Sequence, residues 1–124
     1  MKKLIETVDQ SNSDELIYDT THPLSTKGVE LKLNQGVLLR GTVLGIITAT
    51  GKAVSVDKDA VDGSNKADCV LANDVDTNTT GTLVEVAYSS GSFNRKAMFV
   101  GAGDVVEDHE LRLREVGIYL KDKL

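Results

Sequence analysis

The stretch 29–33, Val29-Glu30-Leu31-Lys32-Leu33, alternates apolar and polar side chains residue by residue. That is the period of a strand with one face in a core. Asn34-Gln35-Gly36 follows as a turn. Beyond it, residues 37–39 and 43–47 are short aliphatic runs interrupted by Gly41 and Gly45. Glycines inside strands mark bulges or sharp bends, so these runs predict a curled sheet or a small barrel-like domain. Thr50-Gly51 then turns the chain into residues 52–56, where Val54 and Val56 alternate with Ala53 and Ser55.

Further along, residues 57–68 read as a polar loop, 69–72 as a short buried strand and Asn73-Asp74-Val75-Asp76 as an acidic turn. Residues 83–88 form a strand with Val84, Val86 and Tyr88 on one face, closed by Ser89-Ser90-Gly91. The segment 93–100 is ambiguous: 94–97 could be a helical turn and 98–100 a short strand. One helix is predicted, at 105–116. Asp104 is placed to cap its first turn, and Glu107 to complete a capping box. Val106, His109, Leu113 and Val116 make its apolar stripe, and Asp108–Arg112 and Glu110–Arg114 have the spacing of helical ion pairs. Gly117 ends it, and residues 118–121 are a final strand or an extended tail. The fold class is α+β and β-rich, with one C-terminal helix.

Residues 1–28 read differently. Ser11-Asn12-Ser13-Asp14 and Thr20-Thr21-His22-Pro23 are polar, turn-prone clusters. Between them Glu15-Leu16-Ile17-Tyr18 is a strand-like island with nothing local to pair with. We take 1–28 as a flexible, extended N-terminal arm, with a plain disordered terminus as the alternative, and 29–124 as the one folded domain.

Composition removes several function classes. The net charge is −5, from 19 acidic and 14 basic residues, and the bases are scattered singly or in pairs. Nucleic-acid binding draws on clustered cations that release counterions from phosphates, so no nucleic-acid partner is expected. No apolar run approaches the ~20 residues of a membrane helix. Residues 1–10 have two lysines but no apolar run behind them, so no signal peptide is expected. The single Cys69 has no disulfide partner and no second cysteine for a metal pair; it reads as a buried thiol in a reducing compartment.

The search for chemistry fails motif by motif. There are two histidines: His22 precedes Pro23 in the arm, and His109 lies on the helix stripe, where packing or a salt link accounts for it. No Gly-x-Ser-x-Gly elbow positions a nucleophile. Asp57-Lys58-Asp59 with Asp62, Gly63 and Asp68 is out of register for a calcium loop, since Asp62 stands where that loop needs glycine. Gly101-Ala102-Gly103 lacks the third glycine of a dinucleotide fingerprint, which is Val106, and Asp104, Glu107 and Asp108 repel phosphate. No catalytic residue, metal ligand or cofactor site is predicted, and the chain reads as a binding module.

Four stretches then carry a resemblance: Arg40-Gly41-Thr42-Val43-Leu44-Gly45, Val70-Leu71-Ala72-Asn73-Asp74-Val75-Asp76, Gly91-Ser92-Phe93-Asn94-Arg95, and the closing run from Glu107 through Val116-Gly117-Ile118-Tyr119-Leu120-Lys121. In that order they resemble the lambda-like bacteriophage head decoration family over residues 37–122. The resemblance implies a non-catalytic homotrimer on the outer surface of the virion, made in the host cytoplasm. Its partners would be the major capsid protein and other copies of itself, at three-fold sites of the expanded head. It also implies an N-terminal arm that becomes ordered on the capsid. Leu16, Ile17 and Tyr18 are the candidate capsid-binding residues, adding a strand to a sheet edge, and three arms on one trimer act together. The runner-up is a trimeric β-fold enzyme or ligand-binding protein with a site between subunits. A fibre or baseplate component is a third reading.

Overall fold

In the computed structural model, which describes residues 16–19, 22–101 and 103–122, nine strands follow one another along the chain. They are β1 (Ile17–Asp19), β2 (Ser25–Glu30), β3 (Val37–Leu38), β4 (Val43–Ile46), β5 (Ala53–Ser55), β6 (Ala67–Leu71), β7 (Val75–Asp76), β8 (Val84–Asn94) and β9 (Ile118–Lys121). A 3₁₀ turn, Arg95–Ala97, follows β8, and another, Val106–His109, leads directly into the α-helix α1 (Glu110–Glu115).

The organising element is β8. Its first half pairs with β2 from Val84 to Ser90 and with β6 at Ala87 and Tyr88; its second half pairs with β1 and β9. The sheet runs β1-β8-β6-β4-β5, with β2 and β9 also on β8, while β3 and β7 form a separate ribbon. All these pairings are antiparallel except β8–β9. Past the end of β2, Leu31 bridges Ala53 and the Lys32 amide donates to the Ala53 carbonyl at 3.0 Å. The sheet therefore curls back on itself, as the glycine pattern predicts, without closing into a barrel.

Period-2 alternation sends neighbouring residues of β4, β6 and β8 to two cores. Val43, Val70, Tyr88 and Phe93 join Leu16, Met98, Leu113 and Ile118 on the helix side. Leu44, Cys69, Leu71 and Ala87 join Val29, Leu31 and Leu38 inside the curl. Both faces of the central strands are thus dry. Burial accordingly pushes the Cys69 thiol up to about 12, a raise to which the Asp68 carboxylate adds, which suits an inert buried cysteine.

Gly45 shows why the curl needs its glycines. The β4–β6 register shifts between Leu44 and Gly45, and a Cβ on Gly45 would overlap the buried Ser64 backbone. Gly45→Ala is expected to cost about 1–3 kcal/mol through overpacking. A shifted urea midpoint with an unchanged m-value checks it.

Several boundaries differ from the sequence expectations, each for a long-range reason. The strand expected at 29–33 starts at Ser25 and stops at Glu30, because its partner β8 begins at Val84, opposite Glu30, and Leu31 passes on to bridge Ala53. Ser89-Ser90-Gly91 is not a turn but the middle of β8, where the partner changes from β2 to β1 and β9. Gly91 makes that crossing possible at φ 142°, with Leu24 Cδ1 2.7 Å from where a Cβ would stand. The helical turn forms over Arg95–Ala97, with Asn94 Oδ1 accepting from the Lys96 amide at 3.2 Å, and of 98–100 Phe99 makes an isolated bridge with Thr42.

The predicted helix exists as the 3₁₀ turn plus α1, its stripe inward and Gly117 at φ 94° behind it. Its predicted capping does not hold. The cap position is Val105, with no side-chain bond, because the Asp104 carboxylate is taken by His109. Of the two helical ion pairs, Glu110–Arg114 forms at 3.6 Å, whereas Asp108 turns to Lys58 at 3.5 Å. Arg112 instead donates to the Ala67 carbonyl at 3.1 Å.

Of the expected arm 1–28, residues 1–15, 20 and 21 lie outside the described residues. The remainder lies on β8: Ile17 pairs with Phe93, and residues 25–28 belong to β2.

Candidate functional site

β1 is held to the fold by the residue that precedes it. Leu16, just before it, is 1% exposed in the helix-side core, and its carbonyl accepts from the Asn94 amide at 2.8 Å. Ile17 is half-buried against the same core. Tyr18 faces outward at 38% exposure. Of the three residues singled out from the sequence, one is an anchor, one a flank and one a surface group. The chain then returns to β8 through His22, whose ring stacks on Tyr119 with centroids 4.0 Å apart. His22 Nδ1 lies 2.6 Å from Ser92 Oγ, and Ser90 Oγ donates to the Pro23 carbonyl at 2.8 Å.

Next to Leu16 the surface opens into an apolar groove. Its walls are Leu16, Leu39, Ala97 and Phe99, with Arg40 and Asp74 at the rim. It continues past Leu39 and Phe99 onto Val37 and Val100. Val37, Leu39 and Phe99 are 62%, 42% and 44% exposed, a concentration that marks a contact surface rather than scattered apolar side chains. The groove exists because Thr42 and Phe99 bridge in parallel, the Phe99 amide donating to the Gly41 carbonyl at 3.0 Å. The Arg40 guanidinium donates to the Ala72 carbonyl and to Tyr88 Oη, both at 2.8 Å, and lies 5.4 Å from the centre of the Tyr88 ring. The Arg40 amide donates to Asp74 Oδ1 at 2.7 Å. A rigid polar rim thus borders an apolar floor. Sequence reasoning missed this surface, since residues 37–39 and 97–100 meet only in three dimensions; the single signal was Phe99, one of two phenylalanines in the chain.

A second cluster joins the loop after β5 to the start of the helix. His109 Nε2 lies 2.8 Å from Asp104 Oδ2, and both side chains are 4% exposed. The Lys58 amide donates to the same Oδ2 at 3.3 Å, and the Val105 amide to Oδ1 at 2.9 Å. Burial pushes the Asp104 carboxyl up. The hydrogen bond and charge of His109 and the two amides outweigh that push and hold it below the ordinary carboxylate value.

These clusters do structural work. The Ser92 side chain that meets His22 is fully buried, and the Tyr119 ring stacks on the half-buried imidazole. Among the described residues no group of three His, Cys, Asp or Glu side chains is gathered as metal ligands. No helix among them is long and apolar enough to cross a membrane. What the molecule offers outward is apolar contact area beside a strand edge, the means of recognising another polypeptide.

Comparison with known proteins agrees with that character. The family model described as bacteriophage lambda head decoration protein D matches residues 6–118. No curated protein matches the chain.

Proposed function

The chain belongs to the bacteriophage lambda head decoration protein family, a family of structural capsid proteins, and from that premise we propose that it binds the expanded phage head as a homotrimer. It sits on the outer surface at three-fold positions and braces neighbouring major capsid protein subunits against the pressure of packaged DNA. The match over residues 6–118 carries this reading. The exposed apolar strip beside β1 supports it as a contact surface.

The N-terminal segment is the grasping element. Leu16 and Ile17 anchor it to the sheet, and Tyr18 stands at the point where a strand of the capsid protein adds to it. One such contact is weak, because ordering a peptide segment consumes roughly 2–5 kcal/mol of its interaction energy. Three on one trimer gain roughly 10²–10⁴ in avidity.

Deletion of residues 1–14 together with Tyr18→Ala tests this, since it removes the proposed contact and leaves Leu16 in the core. The truncated protein is expected to keep its melting temperature and trimeric mass but to stop co-sedimenting with expanded capsids. Undiminished co-sedimentation overturns the role of the segment. A light-scattering mass of 13.3 kDa, that of one chain, overturns the trimer.

A further inference from the structure

A three-fold ring of identical chains cannot be joined by one surface meeting itself. Each copy needs two unlike patches, one of which meets the other on the next copy. This chain carries two such patches. The first is the groove between Leu39 and Phe99, which continues onto Val37. The second is a bare stretch of sheet at the start of β8.

That stretch follows from the strand register. Gly28 pairs with Val86 and Thr26 with Tyr88, so Val84, Val86 and Tyr88 share one face of the sheet with Thr26 and Gly28. At Tyr88 and its other partner, Val70, this face lies under the helix-side core. At Val84 and Val86 nothing covers it, and they are 60% and 44% exposed. Gly28 adds no side chain beside them, so the two valines stand out as a ridge.

Arg40 links ridge and groove. Its guanidinium holds the Ala72 carbonyl, the Ala72 amide donates to the Val86 carbonyl at 3.0 Å, and Arg40 itself is on the groove rim. Five exposed apolar side chains (Val37, Leu39, Phe99, Val84 and Val86) therefore flank one arginine. Such a concentration marks a contact surface, and arginine and aromatic residues are enriched where protein surfaces meet. A single contact with the capsid needs one patch; a ring needs a groove and something to fill it.

We propose that the Val84–Val86 ridge of one copy seats in the Leu39–Phe99 groove of the next, head to tail around the three-fold axis. The pairing rests on the homotrimer proposed above and says which surfaces form it.

Light scattering of the full chain at micromolar concentration is the test, with Leu39→Asp and Val86→Asp as variants and Leu111→Asp, exposed on the helix away from both patches, as control. Circular dichroism reports that each stays folded. Leu39→Asp and Val86→Asp are each expected to lower the mass threefold, to 13.3 kDa, while Leu111→Asp stays trimeric. A folded variant of either patch that stays trimeric overturns the pairing and leaves the trimer standing. A parent protein that is itself monomeric overturns the trimer. A second measurement does not depend on those variants folding. Leu39→Cys and Val86→Cys chains are co-expressed and treated with a short bifunctional maleimide, the native Cys69 being fully buried. Covalent dimers are expected from the mixture and from neither variant alone. Dimers from one variant alone mean that like patches meet, and these, or no cross-link in a trimeric sample, overturn the pairing.

Discussion

Leu16→Ala is expected to destabilise the folded chain by about 2–5 kcal/mol, the range for truncating a buried leucine whose surroundings relax only partly. Leu16 is 1% exposed and packs in the core with Phe93 and Ile118. Its removal leaves a cavity at the meeting point of β1, β8 and β9. The neighbouring Tyr18→Ala is expected to change stability little, because Tyr18 is exposed. Urea unfolding of both variants checks the pair. A loss under about 1 kcal/mol for Leu16→Ala contradicts its place in the core. The contrast matters for function, since a capsid-binding defect in Leu16→Ala reports an unfolded protein, while the same defect in Tyr18→Ala reports a lost contact.

Leu16 also shows how far the sequence could be read. Its strand character was legible, because Leu16-Ile17-Tyr18 is an apolar island. Its partner was not, because Phe93 lies far along the chain and nothing local marks the pairing. Where both strands and their turns are contiguous, as in β4 and β5, alternation and Gly51 sufficed. The same division runs through the helix. Its inward stripe of Val106, His109 and Leu113 followed from spacing alone. The use of Asp104 did not, because a carboxylate beside a helix start caps it only if no stronger partner competes. Here a buried imidazole wins, since leaving His109 unpaired would cost more than a free amide at a solvated helix end. The groove lay further out of reach, as Leu39 and Phe99 come together only through the Thr42–Phe99 bridge.

That competition sets the second large effect. Asp104→Ala is expected to cost about 3 kcal/mol at pH 7, the lower end for removing one member of a buried charged or hydrogen-bonded pair. It strands the His109 imidazole, 4% exposed, and frees the Lys58 amide, loosening the loop after β5 from the helix. The sign of the pH dependence follows from the lowered carboxyl of Asp104. A group whose folded pKa lies below its unfolded one contributes stability above the unfolded value, here an ordinary aspartate at about 4. That contribution disappears as pH falls through the folded value. The difference in unfolding free energy between the parent protein and Asp104→Ala should therefore shrink as pH falls below about 4. Paired denaturant titrations across that range measure it, and subtracting the two curves cancels the other carboxylates. A gap that widens towards acid would mean that the carboxyl is bound as its neutral form, and that His109 is not the partner that stabilises its charge.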